Sequence, residues 1–345
     1  MKIIFHEDQR FHDPKHYLSS GSVRANPETP GRIDALLAGG IELGLKVTAP
    51  ADSGMSPIAA IHSSEYLTFL KNIYSRWQQI EGASEEVIPN IHPDRRDASY
   101  PKSAVGQAGY HMADTSCPIS DQTWRSAYWA AQTAVSAADQ ILQGATATYA
   151  LCRPPGHHAF PDMSGGFCFL NNTAIAAQHC LKAGLRPAIV DVDLHHGNGT
   201  QGVFYNRNDV LTVSIHADPE NFYPFFWGYE QERGSGPGRG ANLNLPIPRG
   251  SGDDIFLKAL SVGLDHVQTF GADVLIVALG LDAFEGDPFA GLSITTSGFT
   301  SIAAACADLA LPTIIVQEGG YLCPELGSNL KSFLGGFLNG HKVNV

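Results

Sequence analysis

The sequence predicts an α/β protein in which helices cover both faces of a mostly parallel sheet. Two observations support this class. Short runs rich in β-branched apolar residues alternate with longer amphipathic stretches, and glycines close several of those stretches. Such an alternation implies right-handed crossovers between parallel strands. Because there is no internal repeat and no domain linker, we expect residues 1–345 to form a single domain.

The predicted strands are short apolar runs that precede turn residues. They cover residues 2–5, 146–151, 187–192, 210–215, 273–279 and 313–317. The predicted helices have apolar residues at helical spacing, and Gly144, Gly184 and Gly271 end three of them. They cover residues 32–44, 63–79, 124–142, 172–183, 253–270, 298–309 and 325–338.

Two segments have no clear period. A polar loop is predicted between the first strand and residues 26–30. Residues 82–121 are too long for an ordinary connection and contain prolines and aromatic residues, so we expect a functional insertion. Its apolar residues favour packing against this chain or against a second copy.

Composition excludes several classes of protein. The net charge of −12 argues against a nucleic-acid partner and is compatible with cationic substrates. The six cysteines form no C-x-x-C pair, which favours reduced core residues over disulfides or a thiolate metal site. There is no signal-peptide pattern and no apolar run of membrane-spanning length, so we expect a cytoplasmic protein without a membrane partner.

The segment 188–200, AIVDVDLHHGNGT, contains the densest group of ionisable side chains. Alternate residues of a strand share a face, so Asp191, Asp193 and His195 can point the same way. Two carboxylates and an imidazole could begin a divalent metal site. A hydrogen-bonded turn that satisfies buried polar groups is the alternative for this motif alone.

Three further predicted strands also end in chemically active residues beside glycines. His157 and His158 follow residues 146–151, Asp282 follows 273–279, and Tyr321 follows 313–317. Ligands of parallel sheets bind outside the carboxyl ends of the strands. Alone, Asp282 could be a helix cap, the histidine pair loop residues, and Tyr321 a structural aromatic; together they predict an active site at this edge.

The chemistry of these side chains suggests their roles. Asp193, His195 and Asp282 would leave a coordination position open for water and substrate, with zinc favoured and iron(II) or cobalt(II) compatible. His157 and His158 are candidates for proton transfer. Asp191 could orient a histidine, and the Tyr321 hydroxyl could donate a hydrogen bond to an oxyanion.

Five motifs resemble the histone deacetylase superfamily. They are RPPGHH at 153–158, GGFCFLNN at 165–172, DVDLHHGNGT at 191–200, GLDAFEGDP at 280–288 and EGGY at 318–321. The segments IIFHED, VGQAGYHMAD, DQTW and DPENFYPFFWGY are similar to the bacterial acetylpolyamine amidohydrolase branch. The resemblance implies a three-layer arginase/deacetylase-like fold with a central eight-stranded parallel sheet, and zinc-dependent hydrolysis of acetylated primary amines.

The resemblance also assigns residues to roles. It implies that Asp193, His195 and Asp282 hold zinc, that His158 is the general base, that His157 is its electrostatic partner or the acid, and that Tyr321 polarises the carbonyl. It places Asp191 behind His157 and Asn198 behind His158, and it assigns Phe167, Tyr223 and the more variable Phe289 to the substrate tunnel. A structural potassium site would use Asp191, Asp193, His195, Ser214 and Ile215.

The branch holds a distal ammonium with acidic residues near the tunnel mouth. Here the positions near Tyr17 and Val105 are not acidic, whereas Asp114 is. Acetylpolyamines, acetyl-lysine and other small acylamides therefore all remain candidate substrates. The resemblance further implies a homodimer in which residues 82–121 narrow the active-site entrance, admitting slender acylated amines and excluding folded proteins.

Two alternatives to a deacetylase are less compatible with the sequence. A binuclear ureohydrolase of the same fold needs more acidic ligands, whereas Asp282 is followed by Ala283 and Phe284, with no second aspartate before Asp287. A non-catalytic binder of acetylated ligands should have lost a metal ligand, the histidine pair or the tyrosine, and all of these are present.

Overall fold

A computed structural model of the chain describes residues 1–95, 97 and 99–341. Two residues of the predicted insertion, Arg96 and Ala98, lie outside the described residues. The predicted single domain also includes residues 342–345, which lie outside them as well. The strands are β1 Lys2–Ile4, β2 His16–Ser19, β3 Ser22–Ala25, β4 Lys46–Thr48, β5 Ala147–Ala150, β6 Pro187–Asp191, β7 Leu211–Ala217, β8 Asn242–Ile247, β9 Val274–Leu279 and β10 Thr313–Gln317. The helices are α1 Gly31–Glu42, α2 Ser56–Ala59, α3 Ser64–Trp77, α4 Ala104–His111, α5 Thr123–Leu142, α6 Asn172–Lys182, α7 Asn198–Phe204, α8 Asp253–Phe270, α9 Thr296–Ala307 and α10 Leu326–Gly340.

Eight of the described strands form one sheet in the order β4-β1-β5-β10-β9-β6-β7-β8. Every neighbouring pair in it is parallel, which confirms the predicted fold class. The strands β5, β10, β9 and β6 are adjacent at its centre. Their carboxyl ends are the four positions where the sequence predicted chemically active side chains, so the topology brings those side chains to one edge.

The core lies on both faces of this sheet, because successive strand residues point to opposite sides. On one face Val190, Val277 and Ile315 pack with helices α1, α8, α9 and α10. On the other face Ile189 and Ile276 pack with α3, α5 and α6. The central strands are buried on both faces and therefore read as continuous apolar runs, as expected of a parallel sheet.

Several elements differ from the sequence prediction, which did not include β2, β3, β4, β8, α2, α4 or α7. The predicted polar loop contains the hairpin β2–β3, whose Ser20 and Gly21 have φ of 50° and 75°, the positive values that a two-residue hairpin turn requires. The insertion contains helix α4, which Ser103 caps by accepting a hydrogen bond from the Gly106 amide. The unpredicted strand β8 contains Pro246 and lies at the sheet edge, where proline is tolerated. No helix within the described residues is long and apolar enough to cross a membrane.

Candidate active site

The side chains that follow the four central strands meet at one cavity of about 570 Å³. His157, His158, Asp193, His195 and Tyr321 line its wall. Asp282 lies behind that wall and is fully buried. The structure thus brings together the residues that the sequence assigned to metal binding and proton transfer.

Asp193, His195 and Asp282 form a group whose ligand atoms all lie within 4.8 Å of one another. The His195 Nδ1 atom lies 3.3 Å from Asp193 Oδ1 and 3.1 Å from Asp282 Oδ2. Burial and the neighbouring Asp193 raise the pKa of Asp282 above its ordinary value. Two buried carboxylates this close require a nearby positive charge, so the donor set fits a divalent cation.

The backbone around the two carboxylates is closely fitted. A Cβ atom on Gly280 would lie 2.1 Å from Asp193 Oδ2, and one on Gly319 would lie 2.3 Å from Asp282 Oδ2. The Gly319 amide donates to Asp193 Oδ2 at 2.8 Å, and the Leu194 amide donates to Asp282 Oδ1 at 3.1 Å. These contacts orient the carboxylates and explain why glycine stands at both positions.

The two adjacent histidines have different partners. His157 Nδ1 lies 2.9 Å from Asp191 Oδ2, whereas His158 Nδ1 lies 2.7 Å from Asn198 Oδ1. Although burial opposes it, the carboxylates of Asp193 and Asp191 raise the pKa of His157 to about 10. Burial, together with His157 and His195, lowers the pKa of His158 well below its ordinary value. The pKa values of the two imidazoles are thus shifted in opposite directions, a division that suits acid and base roles.

Tyr321 lies on the turn after β10, where Gly320 has a φ of 110°. Its amide donates to Asp287 Oδ2 at 2.9 Å, and the guanidinium of Arg32 lies 5.1 Å from its ring centre. Burial and the neighbouring Asp282 raise the pKa of the phenol well above its ordinary value. The hydroxyl therefore keeps its proton and can donate a hydrogen bond.

The three predicted tunnel residues form an aromatic wall. Phe289 lies 4.7 Å from the ring of Tyr321 and 5.4 Å from that of His195, measured between ring centres. The ring of Phe167 lies 5.8 Å from that of Tyr321, and the ring of Tyr223 lies 4.9 Å from that of His158. Phe289 thus lies beside the reactive groups as well as in the predicted tunnel lining.

Three of the five predicted potassium residues lie on two paired strands, Asp191 on β6 and Ser214 and Ile215 on β7, and Asp193 and His195 follow β6. Ser214 of β7 is the register partner of Asp191 of β6, and Ile215 follows it. The Ser214 hydroxyl lies 2.8 Å from His216 Nδ1. The register places Asp191 beside Ser214, and the potassium ion and its other ligands stay predictions.

The sequence analysis assigned no role to Glu318, which is fully buried and directly follows β10. Its carboxylate accepts hydrogen bonds from the amides of Gly156 and His157, at 2.6 and 3.0 Å, and from the Thr173 hydroxyl at 2.6 Å. Glu318 therefore fixes the backbone that carries the histidine pair. With His157 and Cys168 it forms a second potential ligand group, but burial raises the pKa of the Cys168 thiol well above its ordinary value, which disfavours the thiolate that binds metals.

A buried ion-pair network behind Tyr321 was also missed. Glu28 Oε1 lies 2.7 Å from Arg32 Nη1 and 2.9 Å from Arg153 Nε. Arg32 donates to the carbonyl oxygens of Gly320 and Glu318, at 2.5 and 2.6 Å. The network thus holds the turn that carries Tyr321. The EGGY motif pointed to the turn that carries Tyr321. No local sequence pattern, however, links Glu28 to this motif.

Comparisons with known proteins agree on one family. The histone deacetylase domain family matches residues 26–337. An acetylpolyamine amidohydrolase of Burkholderia pseudomallei is 45% identical over 338 residues, covering 98% of each chain. Another, from Mycoplana ramosa, is 40% identical over 339 residues, covering 97% of this chain and 99% of the relative.

Solved structures give the same relationship. The crystal structure of an acetylpolyamine aminohydrolase from Burkholderia pseudomallei matches with a TM-score of 0.96 at 45% identity, covering 99% of this chain and all of that one. The HDA15 HD domain matches with a TM-score of 0.81 at 26% identity, covering 98% of this chain and 91% of that one. The shared architecture thus extends over nearly the whole chain.

Proposed function

The chain belongs to the histone deacetylase domain family, and from this premise we propose that it hydrolyses the amide of acetylated primary amines. The observation that carries the proposal is the unequal histidine pair beside the buried ligand group. His157 is held by a carboxylate and His158 by a neutral amide, and both line the same cavity as Asp193 and His195. A base and a charged partner next to a metal position are what metal-assisted amide hydrolysis requires.

We propose that Asp193, His195 and Asp282 hold one divalent metal ion. The oxygen and imidazole donors, without thiolate, favour zinc and are compatible with iron(II) or cobalt(II). When bound, such an ion supplies Lewis acidity toward a carbonyl oxygen and toward water. The close fit of Gly280 and Gly319 against the two carboxylates supports this assignment.

The chain's own residues perform the proton transfers in this proposal. His158 Nδ1 is engaged by Asn198, so Nε2 is the atom left to take a proton from water. His157, charged and held by Asp191, stabilises negative charge as it develops, and the histidine pair then protonates the leaving amine. The Tyr321 hydroxyl donates to the substrate carbonyl oxygen, whose negative charge grows during attack.

The proposed substrates are small acylated amines. The relatives named acetylpolyamine amidohydrolases support acetylpolyamines, and acetyl-lysine peptides and other small acylamides are the alternatives. A non-catalytic binder of acetylated ligands is the second class of function, and the presence of both histidines and Tyr321 disfavours it. The excess of acidic residues disfavours nucleic acid as a partner.

Acetate release tests the proposal directly. Metal-loaded protein is incubated with acetylputrescine, acetylcadaverine and an acetyl-lysine peptide, and we expect turnover of at least one. The variant Tyr321→Phe should lose turnover while it retains the metal. A non-catalytic binder, in contrast, would show no turnover in the wild type. Absence of turnover on every acylamide, with metal shown to be bound, would rule the proposal out.

The remaining proposals concern assembly and ions. We infer a homodimer in which residues 82–121 narrow the entrance, because Ile91 in this segment is 57% exposed and Phe226 at the cavity mouth is 84% exposed.

A structural potassium ion held by Asp191, Asp193, His195, Ser214 and Ile215 is supported by the register of β6 and β7. A cytoplasmic location agrees with the cysteines, each of which is a free thiol.

A further inference from the structure

Asp287 lies on the loop that follows strand β9, shortly after the proposed ligand Asp282. Its side chain is buried and does not belong to the described residues that line the cavity. The Oδ2 atom accepts a hydrogen bond from the Tyr321 amide at 2.9 Å, and the Oδ1 atom accepts one from the Phe289 amide at 2.9 Å. One buried carboxylate therefore joins the loop after β9 to the turn after β10.

The two amides belong to neighbouring aromatic residues of the cavity wall. The rings of Phe289 and Tyr321 lie 4.7 Å apart, and the ring of Phe289 lies 5.4 Å from that of His195, measured between ring centres. Phe289 and Tyr321 follow different strands, so each needs its own attachment to the site. The carboxylate of Asp287 supplies an attachment that both residues share.

The peptide group between Gly320 and Tyr321 is held at both of its polar ends. Arg32 Nε donates to the Gly320 carbonyl oxygen at 2.5 Å, and the Tyr321 amide donates to Asp287. Because a trans peptide group is planar, with its carbonyl and amide pointing in opposite directions, these two contacts fix the orientation of its plane. A Cβ on Gly320 would lie 2.7 Å from Leu281 Cβ, so the turn also packs closely. The direction in which the Tyr321 side chain leaves the backbone is thereby restricted.

A carboxylate suits position 287 because both of its oxygens accept hydrogen bonds, whereas a side-chain amide has one accepting oxygen. With two backbone amides to satisfy, asparagine would leave one of them facing an NH2 group. Burial and the neighbouring Asp282 raise the pKa of the Asp287 carboxyl to about 7, and the two amide contacts oppose that rise. Assays at about pH 9 therefore keep this carboxyl ionised.

We propose that Asp287 is a positioning residue that, together with Arg32, aims the Tyr321 hydroxyl at the substrate carbonyl oxygen and holds Phe289 against Tyr321. The inference rests on the proposed function, because it deepens the role of Tyr321 in the same site. The hydrogen bond from Tyr321 strengthens as negative charge develops on the oxygen, so a misdirected hydroxyl affects the transition state more than the bound substrate. Loss of the Asp287 carboxylate should therefore appear in kcat rather than in KM.

Asp287→Asn tests the positioning role at about pH 9. We expect kcat to fall roughly 10- to 100-fold, as when a buried amide loses its acceptor. KM should change less than about threefold, and the metal content should equal that of wild type. The substrate is whichever of N-acetylputrescine, N-acetylcadaverine and an acetyl-lysine peptide the wild type hydrolyses fastest. An unchanged kcat, or a loss of metal, would contradict the proposal.

Asp253→Asn is the matched control. Asp253 also accepts two hydrogen bonds, from the amide and the hydroxyl of Thr295 at 2.9 and 2.7 Å, and it lies at the start of α8, outside the described cavity lining. Because a hydroxyl can accept as well as donate, asparagine stays satisfied there, and kcat and KM should equal those of wild type. An equal loss of kcat in both variants would contradict a specific role for Asp287.

A ligand that does not react gives a readout without turnover. A trifluoromethyl ketone analogue of N-acetylcadaverine hydrates to a tetrahedral form, and the Tyr321 hydroxyl can donate to its oxygen. Asp287→Asn and Tyr321→Phe should each weaken its binding roughly tenfold, and the double variant should lose little more than either, because both act through one hydrogen bond. Losses that multiply in the double variant would show that Asp287 does not act through Tyr321.

Backbone hydrogen exchange separates this inference from the proposed function. Asp287→Asn removes the acceptor of the Phe289 or the Tyr321 amide, so peptides that contain these amides should exchange faster than in wild type, whereas Asp253→Asn should not change them. If no acylamide is hydrolysed but exchange rises there, the proposed function fails and Asp287 still positions Tyr321. If wild type hydrolyses acylamides while Asp287→Asn leaves exchange and kcat unchanged, the proposed function stands and this inference fails.

Discussion

The Nδ1 atom of His158 lies 2.7 Å from Oδ1 of Asn198. An amide oxygen accepts the Nδ1 proton without adding charge, so burial can lower the pKa of His158 well below its ordinary value. A carboxylate in the same position would stabilise the protonated ring. The side chain at position 198 therefore controls both the orientation and the basicity of the proposed base.

Substitution of Asn198 tests that control. We expect Asn198→Ala to lower kcat roughly 10- to 100-fold, as when an orienting partner of a functional histidine is lost. Asn198→Asp keeps the hydrogen bond but raises the pKa of His158, so the acid side of the pH–kcat profile should move to higher pH. The measurements are pH–rate profiles of both variants, with metal content as a control. An unmoved profile in Asn198→Asp would assign the base elsewhere.

Metal content separates ligands from proton-transfer groups. Asp282→Ala should release the metal or weaken its binding sharply, because two protein ligands remain. His158→Ala should keep the metal and lose most of kcat, because it removes only the proton acceptor. Both variants are purified, their metal content is measured, and acetate release is assayed. Equal metal loss in the two would show that the roles are wrongly assigned.

The backbone at Gly280 is as important as the ligands. Its substitution by alanine would bring a Cβ atom 2.1 Å from Asp193 Oδ2 and 2.5 Å from Asp193 Cα. Because the backbone of Asp193 cannot move aside without a large cost in free energy, we expect Gly280→Ala to weaken metal binding at least tenfold. Gly335→Ala is the control: its Cβ would meet Leu43 at 3.6 Å, and alanine in helix α10 should raise the unfolding free energy by about 0.5–1 kcal/mol. Titration calorimetry and denaturation provide the two readouts.

The proposed homodimer predicts a dependence on the insertion. We expect light scattering to give a dimer mass for wild type, and kcat/KM on a free acetylamine to exceed that on an acetylated folded protein. Ile91→Asp, in the insertion, should weaken association at least tenfold because it buries a charge. Ile255→Asp, on the exposed face of α8, serves as control and should not. A monomeric wild type, or equal rates on the folded protein, would contradict the narrowed entrance.

The sequence predicted the elements that carry the strongest local signals. The central strands β5, β6, β9 and β10 are buried on both faces, and their largely apolar runs and the residues after them indicated both sheet and site. Strand β4 has three residues, and β8 contains Pro246. Both lie at sheet edges, where partial exposure and missing pairing partners leave no periodic pattern to recognise.

Long-range polar contacts were beyond sequence reasoning for a different reason. Glu318 supports the backbone of His157 from 161 positions away, and Arg32 reaches the Gly320 carbonyl across 288 positions. An isolated buried charge has no repeating signature, and its partner depends on which strands become neighbours. The order β5-β10-β9-β6 supplies that information, and it follows from packing rather than from any single segment.

The buried Glu28 network predicts that neutralising its carboxylate lowers both stability and turnover. Glu28 lies between the guanidinium groups of Arg32 and Arg153, and all three are fully buried. Removing the carboxylate charge leaves two buried cations uncompensated, a change that typically costs about 3–5 kcal/mol. Glu28→Gln should therefore lower the unfolding free energy by roughly that amount and also reduce kcat, since Arg32 holds the carbonyl oxygens beside Tyr321.

The matched control is Glu42→Gln, which breaks the exposed pair with Lys331 at 2.9 Å. Exposed ion pairs contribute about 0–1 kcal/mol, so this variant should unfold almost like wild type. Urea denaturation of both variants at fixed metal concentration makes the comparison, with acetate release measured in parallel. Equal, small losses of stability would mean that water reaches the Glu28 network. A stability loss in Glu28→Gln with kcat unchanged would mean that Arg32 holds the Tyr321 turn without help from its carboxylate partner.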